Sequence, residues 1–345
     1  MYTIGLDVHQ SCTSICILDQ SGQRVKRFVH RGHPADLPGI ITDLGLDGPT
    51  RIGLEASCGS GALHDLLKPV ASEVVVAHPG HLRLIFRAHK KNDRVDAEKI
   101  AKLLYLGELP AVHVPGPEVR AWRELIIARD RAVAQRTRIK NALRSLLRSH
   151  QIRAPRALWS RAGLAWLASA ALPTHAARLR RDILLDDLDH ATRQVLRLNR
   201  ELDAIGREHE GVGLLMTIPG VGPRTAEAVC AFVDDPHRFG AKTIGSYLGL
   251  VPRQDQSGSV NRLGHITRAG PPVVRRLLTE AAWKSLRHSP AVRSVHERIM
   301  RGDRERRKIA LVATTHYLAR VMLSMLQTGE VWRDGCAGKE GSMAA

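Results

Sequence analysis

The chain lacks most of the features that place a sequence quickly. Its five cysteines, Cys12, Cys16, Cys58, Cys230 and Cys336, are scattered, odd in number and form no C-x-x-C pair. That argues against a disulfide framework and against a thiolate zinc site. The 17 histidines show no metal-ligand spacing. No apolar run approaches the ~20 residues that cross a bilayer, and the N-terminus opens on a strand rather than on a signal-peptide pattern. A cytoplasmic chain without a membrane partner is the expectation. No G-x-G-x-x-G or Walker loop follows the first strand, which argues against a doubly wound nucleotide fold. No G-x-S-x-G elbow is present to support a Ser-His-Asp hydrolase. Negative charge is also scarce: 34 Asp and Glu stand against 52 Lys and Arg, a formal charge of +18. Such an excess favours a polyanionic partner, nucleic acid above all.

What is present has the length for two or three domains, at 345 residues. Residues 1–115 read as α/β. Strands are expected at 2–8, 11–18 and 24–29, with Asp19-Gln20-Ser21-Gly22 as a turn, then at 51–55 and 73–77. Helices are expected near 35–46, 61–70 and 94–106, the last with Val95, Ile100, Leu103 and Leu104 on its apolar face. A three-strand meander followed by alternating helix and strand is the ribonuclease-H order. Pro110, Pro115 and Pro117 mark a boundary. Residues 116–210 read as long helices. From Arg120 to Arg161 there are twelve Lys and Arg against two acids, Glu124 and Asp130. From Leu184 an a/d register runs through Leu188, Ala191, Val195, Leu198, Leu202 and Ile205. That pattern pairs either with another protomer as a coiled coil or within the chain as a helical hairpin. Residues 211–330 read as a mainly helical third unit, with a Gly/Ser-rich loop at 255–264 and helices near 271–288 and 291–327. Residues 331–345 read as a disordered tail.

Carboxylates in a basic chain are informative where they cluster. Asp7 ends the first strand, Glu55 ends the fourth, and Asp93 and Asp96 open a helix three residues apart, on one face. On a ribonuclease-H-like sheet, Asp7 and Glu55 would be neighbours. The four oxygen donors could hold Mg²⁺ against a nucleic-acid phosphate. The alternative for Asp93 and Asp96 is an acidic first turn that offsets the helix dipole. Further along, Ile218-Pro219-Gly220-Val221-Gly222-Pro223 followed by Arg224 has the form of a helix-hairpin-helix. Its Gly220 and Gly222 let the backbone approach phosphate at a helix N-terminus; an ordinary Gly/Pro turn is the alternative. Finally, Ser257 stands in a Gly-flanked segment with Arg253, Arg262 and Arg268 nearby in sequence. These arginines can meet phosphate, whereas a serine hydroxyl is a poor nucleophile unless activated.

Taken together, these residues resemble the DEDD transposases of the insertion-sequence-110 family over essentially the whole chain. The resemblance rests on Ile4-Gly5-Leu6-Asp7-Val8-His9, Gly53-Leu54-Glu55-Ala56-Ser57 and Lys91-Asn92-Asp93-Arg94-Val95-Asp96-Ala97. It continues in Ile218-Pro219-Gly220-Val221-Gly222-Pro223, Leu248-Gly249-Leu250-Val251-Pro252-Arg253-Gln254 and Arg262-Leu263-Gly264-His265-Ile266-Thr267-Arg268-Ala269-Gly270. It implies a RuvC-like N-terminal domain (1–115), a coiled-coil connection (116–210) and a C-terminal transposase domain (211–330). It carries a metal-binding tetrad onto Asp7, Glu55, Asp93 and Asp96, and a nucleophilic serine onto Ser257. The family usually shows Ser-Ser-Gly-Gly where this chain has Gln256-Ser257-Gly258-Ser259, which leaves Ser259 as the other choice. The resemblance further implies a DNA recombinase that uses Mg²⁺ and a phosphoserine intermediate. Its partners would be donor and target DNA, a structured bridge RNA and further copies of itself, as dimer or tetramer. A RuvC-like junction nuclease using activated water, and a non-catalytic nucleic-acid-binding scaffold, are the rival readings.

Overall fold

The computed structural model describes residues 1–85, 93–257 and 260–334 and, of Asp93 and Arg94, the backbone alone. The chain divides into two compact units, Met1–Pro117 and Glu118–Ala345. The expected connection at 116–210, all but its first two residues, and the expected third unit at 211–330 lie in the second unit.

The first unit contains β1 (Tyr2–Val8), β2 (Cys12–Leu18), β3 (Arg24–Arg31), α1 (Leu37–Asp43), β4 (Thr50–Glu55), α2 (Ser60–Leu67), β5 (Glu73–Ala77), α3 (Pro79–Ile85) and α4 (Asp93–Tyr105). The sheet order is β3-β2-β1-β4-β5. β1, β2 and β3 form an antiparallel meander, and β4 and β5 join parallel to β1. β1 is buried on both faces, which explains why its sequence is almost continuously apolar. Ile4, Leu6, Ile15, Ile17, Ile52 and Leu54 face α1 and α2, packing with Leu37, Ile41, Leu63 and Leu67. On the other face, Cys16 and Leu18 meet Ala97 and Ala101 of α4.

Two glycines set how closely α4 approaches. A Cβ at Gly5 would lie 2.1 Å from the Ala97 carbonyl oxygen and 2.5 Å from the Ala101 nitrogen. One at Gly53 would lie 3.0–3.1 Å from Leu109, Ile100 and Leu104. Helix backbone therefore rests almost directly on strand backbone, as an interior strand glycine permits. Tyr105, at the far end of α4, packs on Gly22 in the β2–β3 turn. Thus α4 runs antiparallel to β1, and its N-terminus stands at the sheet end where β1 and β4 finish.

The second unit contains α5 (Pro117–Ser149), α6 (Arg161–Ser169), α7 (His175–Glu208), α8 (Glu210–Leu215), α9 (Pro223–Val233), α10 (Ile244–Tyr247), β6 (Pro252–Ser257), β7 (Val260–Ile266), α11 (Pro272–His288), α12 (Pro290–Met300) and α13 (Arg307–Thr328). Helices α5 and α7 form an antiparallel pair. Ile139, Leu143 and Leu147 of α5 pack with Leu188 and Ala191 of α7, and nearer the other end the Arg129 Nε donates to Asn199 Oδ1 at 2.7 Å. The a/d positions Leu188, Ala191, Val195 and Leu202 are buried within the chain. Of the two pairings that the periodicity allows, these positions show the one within the chain, with α5, which is joined to α7 through a connection that carries α6. The main core surrounds α9, every residue of which from Thr225 to Val233 is buried, with α8, α11 and α13 against it.

Three further expectations change. The helix expected at 291–327 breaks at Arg301 and Gly302, both left-handed (φ 53° and 72°), giving α12 and α13. The loop expected at 255–264 is instead the β6–β7 hairpin. The segment Arg304–Thr328 is, by length and composition, long and apolar enough to cross a membrane, contrary to the expectation that no segment qualifies. Here it is a core helix, with Leu318, Met322 and Leu323 in the bundle interior.

Candidate active site

Strand register explains how the first two carboxylates come together. β1 and β4 pair in parallel through Gly5↔Gly53 and Leu6↔Leu54, so Asp7 and Glu55 are the next residues on neighbouring strands. Alternation turns both to the face that carries Gly5 and Gly53, the α4 face. Both are half-buried, and Asp7 Oδ2 lies 3.5 Å from His9 Nε2. Asp96 precedes Ala97, whose carbonyl rests on Gly5, and its carboxylate pairs with Lys99 Nζ at 3.0 Å. Asp93 begins α4 at the same sheet end; its side chain lies outside the described residues. Among the described residues no three His, Cys, Asp or Glu side chains gather as a metal-ligating group. Hard oxygen donors on adjacent strands nevertheless match the chemistry that Mg²⁺ or Ca²⁺ selects.

Glu98, one turn into α4, anchors this arrangement from the side. It accepts from Arg24 (2.8 Å) and Arg27 (3.2 Å) of β3 and pairs with Lys102 at 3.0 Å. The hydrogen bond from Lys102, then that from Arg24, hold its carboxyl below the usual range despite partial burial. Neither Glu98 nor the two glycines stood out as functional in the sequence. Glycine in the middle of two apolar strands was the available signal for close packing.

Ser257 lies in the second unit, exposed, at the end of β6 and paired with Val260 of β7. Gly258 and Ser259 lie outside the described residues. Asp255 of β6 pairs with Arg262 of β7. Both strands are exposed along almost their whole length, including Arg253 and Arg262. Arg268, also exposed, is left-handed (φ 56°). The hairpin base is pinned by Arg275, whose guanidinium donates to the carbonyls of Leu248 (3.0 Å) and Ala269 (2.5 Å). Burial, then the neighbouring Arg268, lower the Arg275 pKa.

The glycine turn between α8 and α9 is built differently at each of its expected contact residues. Gly222 caps α9 and faces open space. Gly220 (φ 94°) presses on α11, where a Cβ would lie 2.6 Å from the Ser285 nitrogen. Arg224 turns inward to Asp203 of α7 and to Glu227 (2.8 Å). Its charge is engaged in joining helices rather than presented to a phosphate. Glu227 is 1% exposed, and burial pushes its carboxyl up to about 7 against the lowering effect of Arg224.

Comparison with known proteins agrees with both ends of the chain. Residues 4–152 match a transposase family of the DEDD, IS110 type, and residues 212–297 match the transposase IS116/IS110/IS902 family. The chain is 26% identical over 341 residues to the transposase for insertion sequence element IS1111A of Coxiella burnetii, covering 96% of this chain and 91% of that one. It is 30% identical over 254 residues to a probable family 20 transposase of Pseudomonas aeruginosa, covering 71% and 75%. Over 130 residues it is 29% identical to the pilin gene-inverting protein of Moraxella bovis, covering 37% and 38%.

Proposed function

The chain belongs to the IS110 family of insertion-sequence transposases, enzymes that cut and rejoin DNA, and on that premise we propose how its two units divide the chemistry. The first unit is a RuvC-like, ribonuclease-H-type domain in which Asp7, Glu55, Asp93 and Asp96 hold a divalent cation, Mg²⁺ in the cell. The observation that carries this reading is the strand register: it sets Asp7 and Glu55 side by side on the α4 face, at the end where α4 begins. A cation bound there supplies positive charge against phosphate oxygens.

The second unit supplies the nucleophile. The Ser257 Oγ attacks a DNA phosphorus. An Oγ–P bond forms, the P–O3′ bond breaks, and the departing 3′-oxygen takes up a proton. The reverse exchange with a different 3′-hydroxyl restores the serine and joins the new strand, so no phosphodiester energy is lost to water. Arg253, Arg262 and Arg268, exposed on and beside the hairpin, neutralise the phosphate, and Gly222 at the start of α9 offers backbone N–H groups in the manner of a helix-hairpin-helix. The likeness to a protein named for inverting a pilin gene supports strand exchange over plain hydrolysis, because inversion requires every cut end to be rejoined. Carboxylates and serine belong to separate units, and the reaction draws on both. Exchange between a donor and a target duplex calls for more than one copy, and a bridge RNA selects both duplexes.

The test is denaturation of the protein on its DNA. Wild-type protein and Ser259→Ala should leave a covalent protein–DNA adduct, and Ser257→Ala should leave none. Undiminished adduct from Ser257→Ala would overturn the assignment, and full strand exchange by that variant would favour the activated-water nuclease. RNA recovered with the purified protein, complementary to both DNA partners, tests the guide.

A further inference from the structure

Helix α4 crosses the sheet in step with the strands beneath it. Four helix residues rise about 6 Å and two strand residues about 6.6 Å. Ile100 rests on Gly53 of β4, and Ala97 rests on Gly5 of β1. One turn nearer the start of α4, Asp96 therefore stands at the level of Glu55, two residues beyond Gly53. Asp93 stands likewise at the level of Asp7, two residues beyond Gly5. Four carboxylates carry a charge of −4, and one divalent cation leaves −2. That excess repels the phosphodiester that the site must receive, so a further positive charge is called for at this end of the helix.

Lys99 supplies one. Side chains on a helix lean back toward its N-terminus, so a lysine one turn along returns its charge to the carboxylate end. The Lys99 Nζ lies 3.0 Å from Asp96 Oδ1, and both side chains are only 24% exposed. The Asp189–Arg193 pair of α7, by contrast, is 66–70% exposed, which marks an ordinary surface pair of little energetic consequence. Lys102, the other lysine of α4, turns to Glu98, which Arg24 and Arg27 of β3 also reach. The two lysines thus divide the helix: Lys102 serves the anchor on β3, and Lys99 serves a carboxylate of the tetrad.

We propose that Lys99 is a further catalytic residue, which holds Asp96 until the cation is bound and then donates to a non-bridging oxygen of the attacked DNA phosphate. Lys99 and a divalent cation compete for Asp96, because each is positive and each needs the same carboxylate oxygens. Displaced from Asp96, the ammonium keeps its three donors on a flexible four-carbon stem. It stabilises the negative charge that builds on the phosphate oxygens as the new bond to phosphorus forms. No proton leaves the lysine: its contribution is a fixed charge and a hydrogen bond. The exchange also ties loading of the cation to the arrival of DNA, since the phosphate gives the released ammonium a new partner.

This inference rests on the reading that the four carboxylates hold a divalent cation, and Mn²⁺ binding to the full-length, DNA-free protein tests the two separately. Binding is followed by loss of the paramagnetic resonance signal of free Mn²⁺. Lys99→Gln should bind Mn²⁺ about tenfold more tightly than wild type, because a unit charge about 5 Å away no longer opposes the ion. The same variant should cleave DNA about a hundredfold more slowly at saturating Mn²⁺, the scale of loss when one donor to a developing oxyanion is removed. Lys99→Arg keeps the charge, so it should recover much of the rate and leave Mn²⁺ affinity near that of wild type. Lys68→Gln, at an exposed position between α2 and β5, removes an equal charge and should change neither quantity. Tighter Mn²⁺ binding together with slower cleavage supports the proposal, since a residue that merely braced Asp96 would lose both on substitution. Weaker or unchanged Mn²⁺ binding by Lys99→Gln, or cleavage at the wild-type rate, overturns it. Asp7→Asn binding Mn²⁺ as wild type does would remove the cation reading itself, whatever Lys99→Gln shows.

Discussion

At the scale of single residues, Gly5 and Glu227 show how a side chain, or its absence, sets the behaviour of a whole element. Gly5 is the position where α4 backbone touches β1. Gly5→Ala would force its Cβ against Ala97 and Ala101, an overpacking that costs about 1–3 kcal/mol. It should also shift the start of α4 away from Asp7 and Glu55. Chemical denaturation should show the lower stability, and adduct formation on DNA should fall with it. Glu227 gives a prediction in pH. Its folded value, about 7, lies above the ordinary 4.5, so between these values the folded chain keeps a proton that the unfolded chain has released. Stability contributed by this group is therefore largest below about 4.5 and declines as pH rises to about 7, by about 3 kcal/mol in all. Glu227→Gln should remove that decline, read as the difference in urea midpoint between pH 4.5 and pH 7.5. A midpoint difference unchanged by the substitution would show that Glu227 ionises normally.

Among the elements, the α5–α7 pair and the β6–β7 hairpin show where periodicity is and is not enough. Of the heptad positions of α7, Leu188, Ala191, Val195 and Leu202 are buried while Leu184, Leu198 and Ile205 are half-buried, and the periodicity did not say what covers them. A hydrophobic stripe specifies a partner surface without specifying whose surface it is. Leu188→Ala should cost about 2–5 kcal/mol in unfolding free energy and leave the sedimentation coefficient unchanged, because the seam is closed within the chain. A change in assembly on this substitution would return the seam to an interface between protomers. The hairpin escaped a pattern-based reading for the opposite reason. Its strands are exposed, so no alternation of apolar residues marks them. What holds them is a short ladder with the cross-strand pairs Asp255↔Arg262 and Gln256↔Asn261, above a base fixed by Arg275.

For the whole molecule, the question is how chemistry in one unit depends on residues of the other. If the carboxylates assist the serine, a change confined to the first unit must abolish covalent chemistry at a serine in the second. Asp7→Asn, which keeps size and removes charge, should eliminate the Ser257 adduct while leaving salt-sensitive DNA binding intact. Chelation of divalent cations should do the same to wild-type protein, with recovery on adding Mg²⁺. Full adduct formation by Asp7→Asn would detach the carboxylates from the chemistry and favour the scaffold reading for the first unit. Net charge of +18 makes binding a poor discriminator between these readings, because each of them expects steep weakening with salt.

Sequence alone determined the succession of strands in the first unit, the place of Asp7 near the end of β1 and of Glu55 at the end of β4, and the family. These follow from local rules: apolar runs, turn residues and motif spacing act over a few residues and leave their mark there. Tertiary structure decided the rest. It closed the α7 seam in cis, turned Arg224 toward Asp203 and Glu227 instead of toward a phosphate, divided the last long helix at Arg301, and raised Ser257 on an exposed hairpin. In each case the deciding contact joins residues far apart in the chain or depends on burial, and neither quantity has a period that a sequence can display.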